Sequence, residues 1–223
     1  MIGNETIRTT SQPRGTLVWD PLVRFGHWAL VAAFAVAYLS AEEEAGGPDP
    51  LHVWGGYVVG GIVVLRVLWG FVGQRHARFS DFVCGPLKAL LYLRDLLLGR
   101  GRRYLGHSPA GGAMVIALLV CLAATVVTGV VAYGEQGKGP LAGNGATFVS
   151  VAHSEGNEAE HRRHQEGGAD RTESVIGELH DLLANITLAL VVMHILGVAL
   201  ASFVHRENLV LAMITGRKRQ AHN

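Results

Sequence analysis

Four stretches of this chain stay apolar for longer than the hydrocarbon core of a bilayer is thick. A helix rising 1.5 Å per residue needs about 20 residues to cross that core. The runs from Leu22 to Ala41, Leu51 to Val72, Pro109 to Tyr133 and Val175 to Val204 all reach it. In lipid every backbone polar group has to be paired within the spanning segment, so each run is expected as a helix. Composition agrees: 49% of the residues are hydrophobic and 17% charged, against about 25% charged in soluble domains.

Pro50 and Pro109 sit at expected helix starts, where a missing N–H costs little. Between the second and third runs, Asp81 to Gly99 interleaves leucines with Lys88, Arg94 and Asp95. That pattern fits an amphipathic helix in the headgroup region, or a short helix packed on the bundle. The expected fold is all-α, a four-transmembrane-helix membrane bundle with an additional cytoplasmic-side interfacial helix. Residues 1–16 are expected as a disordered tail and 17–219 as the bundle domain, with an outer loop at 134–174 and a short tail at 220–223. No cleavable signal peptide is visible before the first run.

Basic residues set the orientation. Arginines and lysines concentrate before the first run, between the second and third, and after the fourth. The first short loop instead carries Glu42, Glu43, Glu44 and Asp49 with no basic residue. Both termini are therefore expected on the cytoplasmic side of a bacterial inner membrane. Cys84 and Cys121 stand alone and no C-x-x-C-H occurs, which excludes covalent haem attachment.

Histidines lie inside three of the four spans: His27, His52, His180 and His194. A ligating residue within a span is a functional candidate. His180 and His194 are 14 residues apart, roughly 21 Å along a helix and within about 40° of one face. His52 opens the second span and matches His180 in depth. His27 lies about 14 residues before the first outer loop, level with His194. Two pairs at two depths suit bis-imidazole ligation of iron inside a bundle. His205, a further 11 residues on, falls beyond the hydrocarbon core and reads as interfacial.

Arg66 lies 14 residues below His52 on the same face. It either meets a haem propionate or a quinone head group, or snorkels to the headgroups. His107, just before the third span, is a candidate for quinone protonation or a plain interfacial histidine. Trp28, Trp54 and Trp69 read as interface anchors or as packing against a haem edge.

The segments VWDPLVRFGHW, LHVWGGYVVGGIVVLRVLWGFVG, LGHSPAGGAMV, ELHDLLANITLALVVMHILGV and HRENLVLAMITGRKR resemble the prokaryotic cytochrome b561 family, which includes the cytochrome b subunits of nickel–iron hydrogenases. The resemblance implies two b haems, His27 and His194 ligating the cytoplasmic-side one and His52 and His180 the outer one. It also implies electron exchange between a quinone pool and a periplasmic partner such as a c-type cytochrome or another redox subunit. Some relatives oxidise superoxide with quinone as acceptor, an alternative on the same scaffold. Membrane lipid is an expected partner, nucleic acid is not, and a homodimer is compatible with the sequence. The glycine-rich loop at 134–174 departs from the family pattern. Its His153, His161 and His164 suggest either metal binding or a partner-docking surface, and a metal transporter is the non-redox alternative.

Overall fold

The computed structural model describes residues 16–41, 43–44, 47–74, 77–104, 106–142 and 161–218, with the backbone alone for 16–17, 43–44, 47 and 161–174. Seven helices are described: α1 (Pro21–Leu39), α2 (Pro50–Val72), α3 (Phe79–Phe82), α4 (Pro86–Leu97), α5 (Pro109–Glu135), α6 (His161–His205) and α7 (Leu209–Thr215). Two-residue ladders join β1 (Thr16–Leu17) to β4 (Arg217–Lys218) and β2 (Glu43–Glu44) to β3 (Gly47–Pro48). Four helical segments are long and apolar enough to cross a membrane: Pro21–Leu39, Pro50–Val72, Pro109–Glu135 and Val175–His205. This is a multi-pass, all-helical membrane bundle.

Each of α1, α2 and α5 begins with the same chemistry. A short polar residue caps the helix and proline occupies its first position, where φ is already helical. Asp20 Oδ1 accepts from Val23 N at 2.8 Å, Asp49 Oδ1 from Leu51 N at 2.6 Å, and Ser108 Oγ from Gly111 N at 3.2 Å. Asn208 caps α7 in the same way, accepting from Leu211 N at 2.8 Å.

The end at which α1 starts is called basal here, and the opposite end distal. α1 packs on α2, α2 on α5, and α5 on α4 and α6. Val59 and Val63 of α2 meet Leu119 and Leu122 of α5 at mid-height, with Leu30, Ala33 and Phe34 of α1 alongside. Glycine permits the close approaches: a Cβ at Gly55 would lie 3.0 Å from Ala37 Cβ, and one at Gly60 2.9 Å from Val126 Cγ1. By contrast, the backbone of α6 scarcely comes within 8 Å of α1 or α2. One side of the bundle is thus closed by helix packing, whereas on the other α6 meets α1 and α2 through side chains across a wider interval.

The basal end is tied by polar contacts. β1 and β4 pair the two ends of the described chain, Thr16 opposite Lys218. Arg103 grips Glu207 through two contacts, Nη2 to Oε1 at 2.9 Å and Nε to Oε2 at 3.2 Å, with Glu207 buried. Burial draws the Lys218 ammonium below its ordinary pKa, Glu207 opposes that, and Arg103 reinforces it. Asp20, 4% exposed, also accepts from Trp69 Nε1 at 2.9 Å, fastening the start of α1 to the end of α2.

Two expectations change. The helix expected over Asp81 to Gly99 is present as α4 but begins only at Pro86, because proline disfavours helical backbone in the residue before it and Gly85 is extended; Asp81 and Phe82 close the separate short helix α3. The loop expected at 134–174 is shorter at both ends, since α5 runs to Glu135 and helical backbone resumes at His161. Polarity, which suggested a loop, does not forbid a helix once it leaves the lipid. His153 and the side chains of His161 and His164 lie outside the described residues.

Replacing Asp20 with alanine removes a cap and strands the Trp69 indole. We expect a loss of about 1–3 kcal/mol, read as a lowered midpoint in thermal unfolding of detergent-solubilised protein. Trp69→Phe, which spares the cap, should cost less than Asp20→Ala.

Candidate functional site

Across the space between α6 and the α1–α2 pair, four histidines face one another in twos. His52 of α2 and His180 of α6 have ring centroids 5.9 Å apart with planes at 85°. His27 of α1 and His194 of α6 have centroids 6.3 Å apart with planes at 55°. The pairs lie about 21 Å apart along α6, at 1.5 Å per residue. The distal pair sits near the end of α1, where His52 Nδ1 is 2.8 Å from Ala37 O. The basal pair lies near the start of α1.

The distal pair is held by its neighbours. His180 Nδ1 is 2.9 Å from Thr125 O and 3.3 Å from Thr128 Oγ1, both on α5. A carbonyl oxygen can only accept, so Nδ1 of both His52 and His180 carries the proton. In the neutral tautomer that this selects, Nε2 carries the lone pair. Gly129 makes room for this: a Cβ there would stand 2.8 Å from His180 Cε1, closer than real Cβ contacts allow. Below, Thr187 is fully buried and its hydroxyl lies 3.3 Å from that of Thr125. Tyr38 donates to Asn185 Oδ1 at 3.0 Å, bridging α1 and α6 across the space.

The basal pair is held differently. His27 packs edge-on against Trp28 with centroids 5.3 Å apart, and its buried Nδ1 has no hydrogen-bond partner among the described residues. A buried polar atom without a partner is uncommon in a folded protein. Arg66 repeats the feature: its Nη1 is buried and unpartnered, with the guanidinium over the Phe79 ring at 5.4 Å. Snorkelling would expose that atom to the headgroups, and it is not exposed. His107 lies in an aromatic cluster, its centroid 4.6 Å from Trp19 and 4.3 Å from Phe82. His205 Nε2 is 3.4 Å from Tyr92 Oη at the basal end of α6.

A sequence profile of prokaryotic cytochrome b561 matches residues 18–216. The chain belongs to the prokaryotic cytochrome b561 family. No curated protein and no solved structure matches it significantly. Membership makes the chain a transmembrane b-type cytochrome of electron transfer, one that binds haem b.

The residues present in this cytochrome fit that group. With metal–imidazole bonds of about 2.0–2.1 Å and about 1.1 Å from ring nitrogen to ring centre, two imidazoles that shared one metal would have ring centres about 6 Å apart. The observed 5.9 and 6.3 Å match. The space beside α6 is bounded by α1, α2 and α5, and at the distal level two lone pairs are free to ligate. Among the described residues, no group of three or more His, Cys, Asp or Glu side chains converges as a metal-ion cluster would.

Sequence reading singled out the four histidines, which the structure brings together as two facing pairs, and Arg66, but missed the groups that orient the distal pair. Thr125, Thr128 and Gly129 were legible as two hydroxyls and a glycine in the last stretch of an otherwise aliphatic span. The Ala37 carbonyl was not, because any residue supplies one.

Gly129→Ala should push the His180 ring off Thr125 O and lower haem b per chain, measured by pyridine haemochrome. Gly85→Ala, with open space around the added methyl, should leave haem content at the wild-type value.

Proposed function

We propose that this cytochrome binds two b haems, one between His52 and His180 and one between His27 and His194. On this reading it carries electrons through the bilayer between the quinone pool and a redox partner on the periplasmic face. One observation carries the proposal: two facing imidazole pairs at ligand separation, at two depths. A single centre would leave most of the hydrocarbon thickness uncrossed, whereas two at opposite depths divide the path. The concentration of basic residues at the basal end and of acidic ones in the first short loop supports reading the basal pair as the cytoplasmic-side one in a bacterial inner membrane.

Bound haem supplies one-electron chemistry at iron, and the protein sets where and how easily it happens. Hydrogen bonds from Nδ1 to Ala37 O and Thr125 O fix the ring planes and raise the basicity of Nε2 in the distal pair. The aliphatic cluster of Val59, Val63, Leu119 and Leu122 closes the α2–α5 side of the bundle at mid-height. Arg66, half-buried with its Nη1 enclosed and unpartnered among the described residues, is assigned to a propionate of the basal haem. There its charge favours the reduced state. His107 is assigned to proton exchange with quinone at the basal end, since imidazole titrates near neutral pH.

The test is haem content and redox titration of single variants. His52→Ala and His194→Ala should each hold one haem where the wild type holds two, and Arg66→Gln should keep both while lowering one midpoint potential. Two haems retained in both histidine variants would refute the assignment.

A further inference from the structure

At the basal end an open groove of about 250 Å³ lies between α4 and the chain leading into α5. Its shape follows from how α4 ends. Gly99, at φ +71°, turns the chain back, with Gly99 N bonded to Leu96 O at 3.0 Å and Arg100 N to Asp95 O at 2.8 Å. This is the Schellman pattern, and it returns residues 100–104 alongside the helix just left. Tyr92 locks the return: its hydroxyl donates to Arg102 O at 3.1 Å, and its ring meets Tyr104 edge-on at 5.6 Å.

Three cations line the groove: Lys88, Arg100 and Arg102. None has a side-chain hydrogen bond or ion pair among the described residues. The single carboxylate in the lining, Asp95, is already engaged by Arg94 at 3.2 Å. Beside these cations the outward face of α4 is bare and mostly leucine, broken by Arg94: Leu87 is 69% exposed, Leu90 63% and Leu97 66%. The buried face, Ala89, Tyr92 and Leu96, is spent on packing within the protein. Pro109, which opens a spanning helix, also lines the groove, so the cations stand where the span leaves the hydrocarbon. Unpaired cations at that depth, flanked by exposed leucines, complement one kind of molecule, with an anionic head and apolar chains.

We propose that this groove is a binding site for an anionic phospholipid, its phosphate held by Lys88, Arg100 and Arg102 and its acyl chains lying over the leucines of α4. The site is independent of the haem assignment. It anchors α4, and through the Tyr92–Arg102 contact the segment entering α5, to the membrane surface.

Purified full-length holoprotein should be titrated with nanodiscs or micelles containing phosphatidylglycerol or phosphatidylcholine, with native mass spectrometry counting retained lipid. Wild type should retain phosphatidylglycerol in preference. Arg100→Gln with Arg102→Gln should weaken that retention about twenty-five-fold, at about fivefold per cation, with the haem absorption spectrum unchanged. Arg206→Gln, a basal-end cation outside the groove, should leave the preference intact. Equal retention of both lipids, or equal loss in Arg206→Gln, would overturn the proposal. Displacement of phosphatidylglycerol by millimolar inorganic phosphate would mark a free-phosphate site instead. Co-purification of a stoichiometric protein bound through Arg100 and Arg102, with no lipid, would assign the groove to a protein partner and likewise overturn it.

Discussion

An imidazole in the middle of a lipid-spanning bundle is expensive unless both of its nitrogens are satisfied. Four of them face a common space here, and much of the architecture answers that cost. At the distal level the backbone takes one nitrogen of each ring, through Ala37 and Thr125, and leaves the other open toward the partner ring. At the basal level even Nδ1 of His27 stays unpartnered, as does Nη1 of the nearby span cation Arg66. On the proposed reading, iron would take the open nitrogens that face each other across the space and a propionate would pair the Arg66 guanidinium, which is how the family assignment and the geometry fit together.

The helix arrangement serves the same end. α5 carries none of the four facing histidines, yet it is the post on which α6 stands, and its Thr125, Thr128 and Gly129 set the His180 ring. α1 and α2 approach closely at Gly55, which lets His52 reach a carbonyl of the neighbouring helix. α6 stays apart from both, linked chiefly by facing side chains such as Tyr38 and Asn185. At the basal end, β1–β4 pairing, the Arg103–Glu207 contact and the Asp20–Trp69 bond hold the helix ends together.

Much of this was legible in the sequence because it follows from counting. Span length follows from bilayer thickness, and the pairing of His180 with His52 and of His194 with His27 follows from a 1.5 Å rise applied to loop positions. The short helix α7 was missed because seven residues after a long span carry no periodic signal. The helical stretch upstream of Val175 was missed because its polar composition reads as loop, although polar residues form helices readily outside lipid. The bonds to Ala37 O and Thr125 O were invisible because backbone carbonyls have no sequence signature. Arg66 was seen as a candidate, but only burial separates a cation kept inside from one that snorkels.

The account rests on imidazole pairs gripping iron from both sides. Its most direct measurement is low-temperature EPR of the oxidised wild-type protein, taken with a count of haem per chain. Two b haems per polypeptide, both low-spin with bis-imidazole signatures, are the predicted result. One haem per chain, or a high-spin five-coordinate iron at either level, would contradict it.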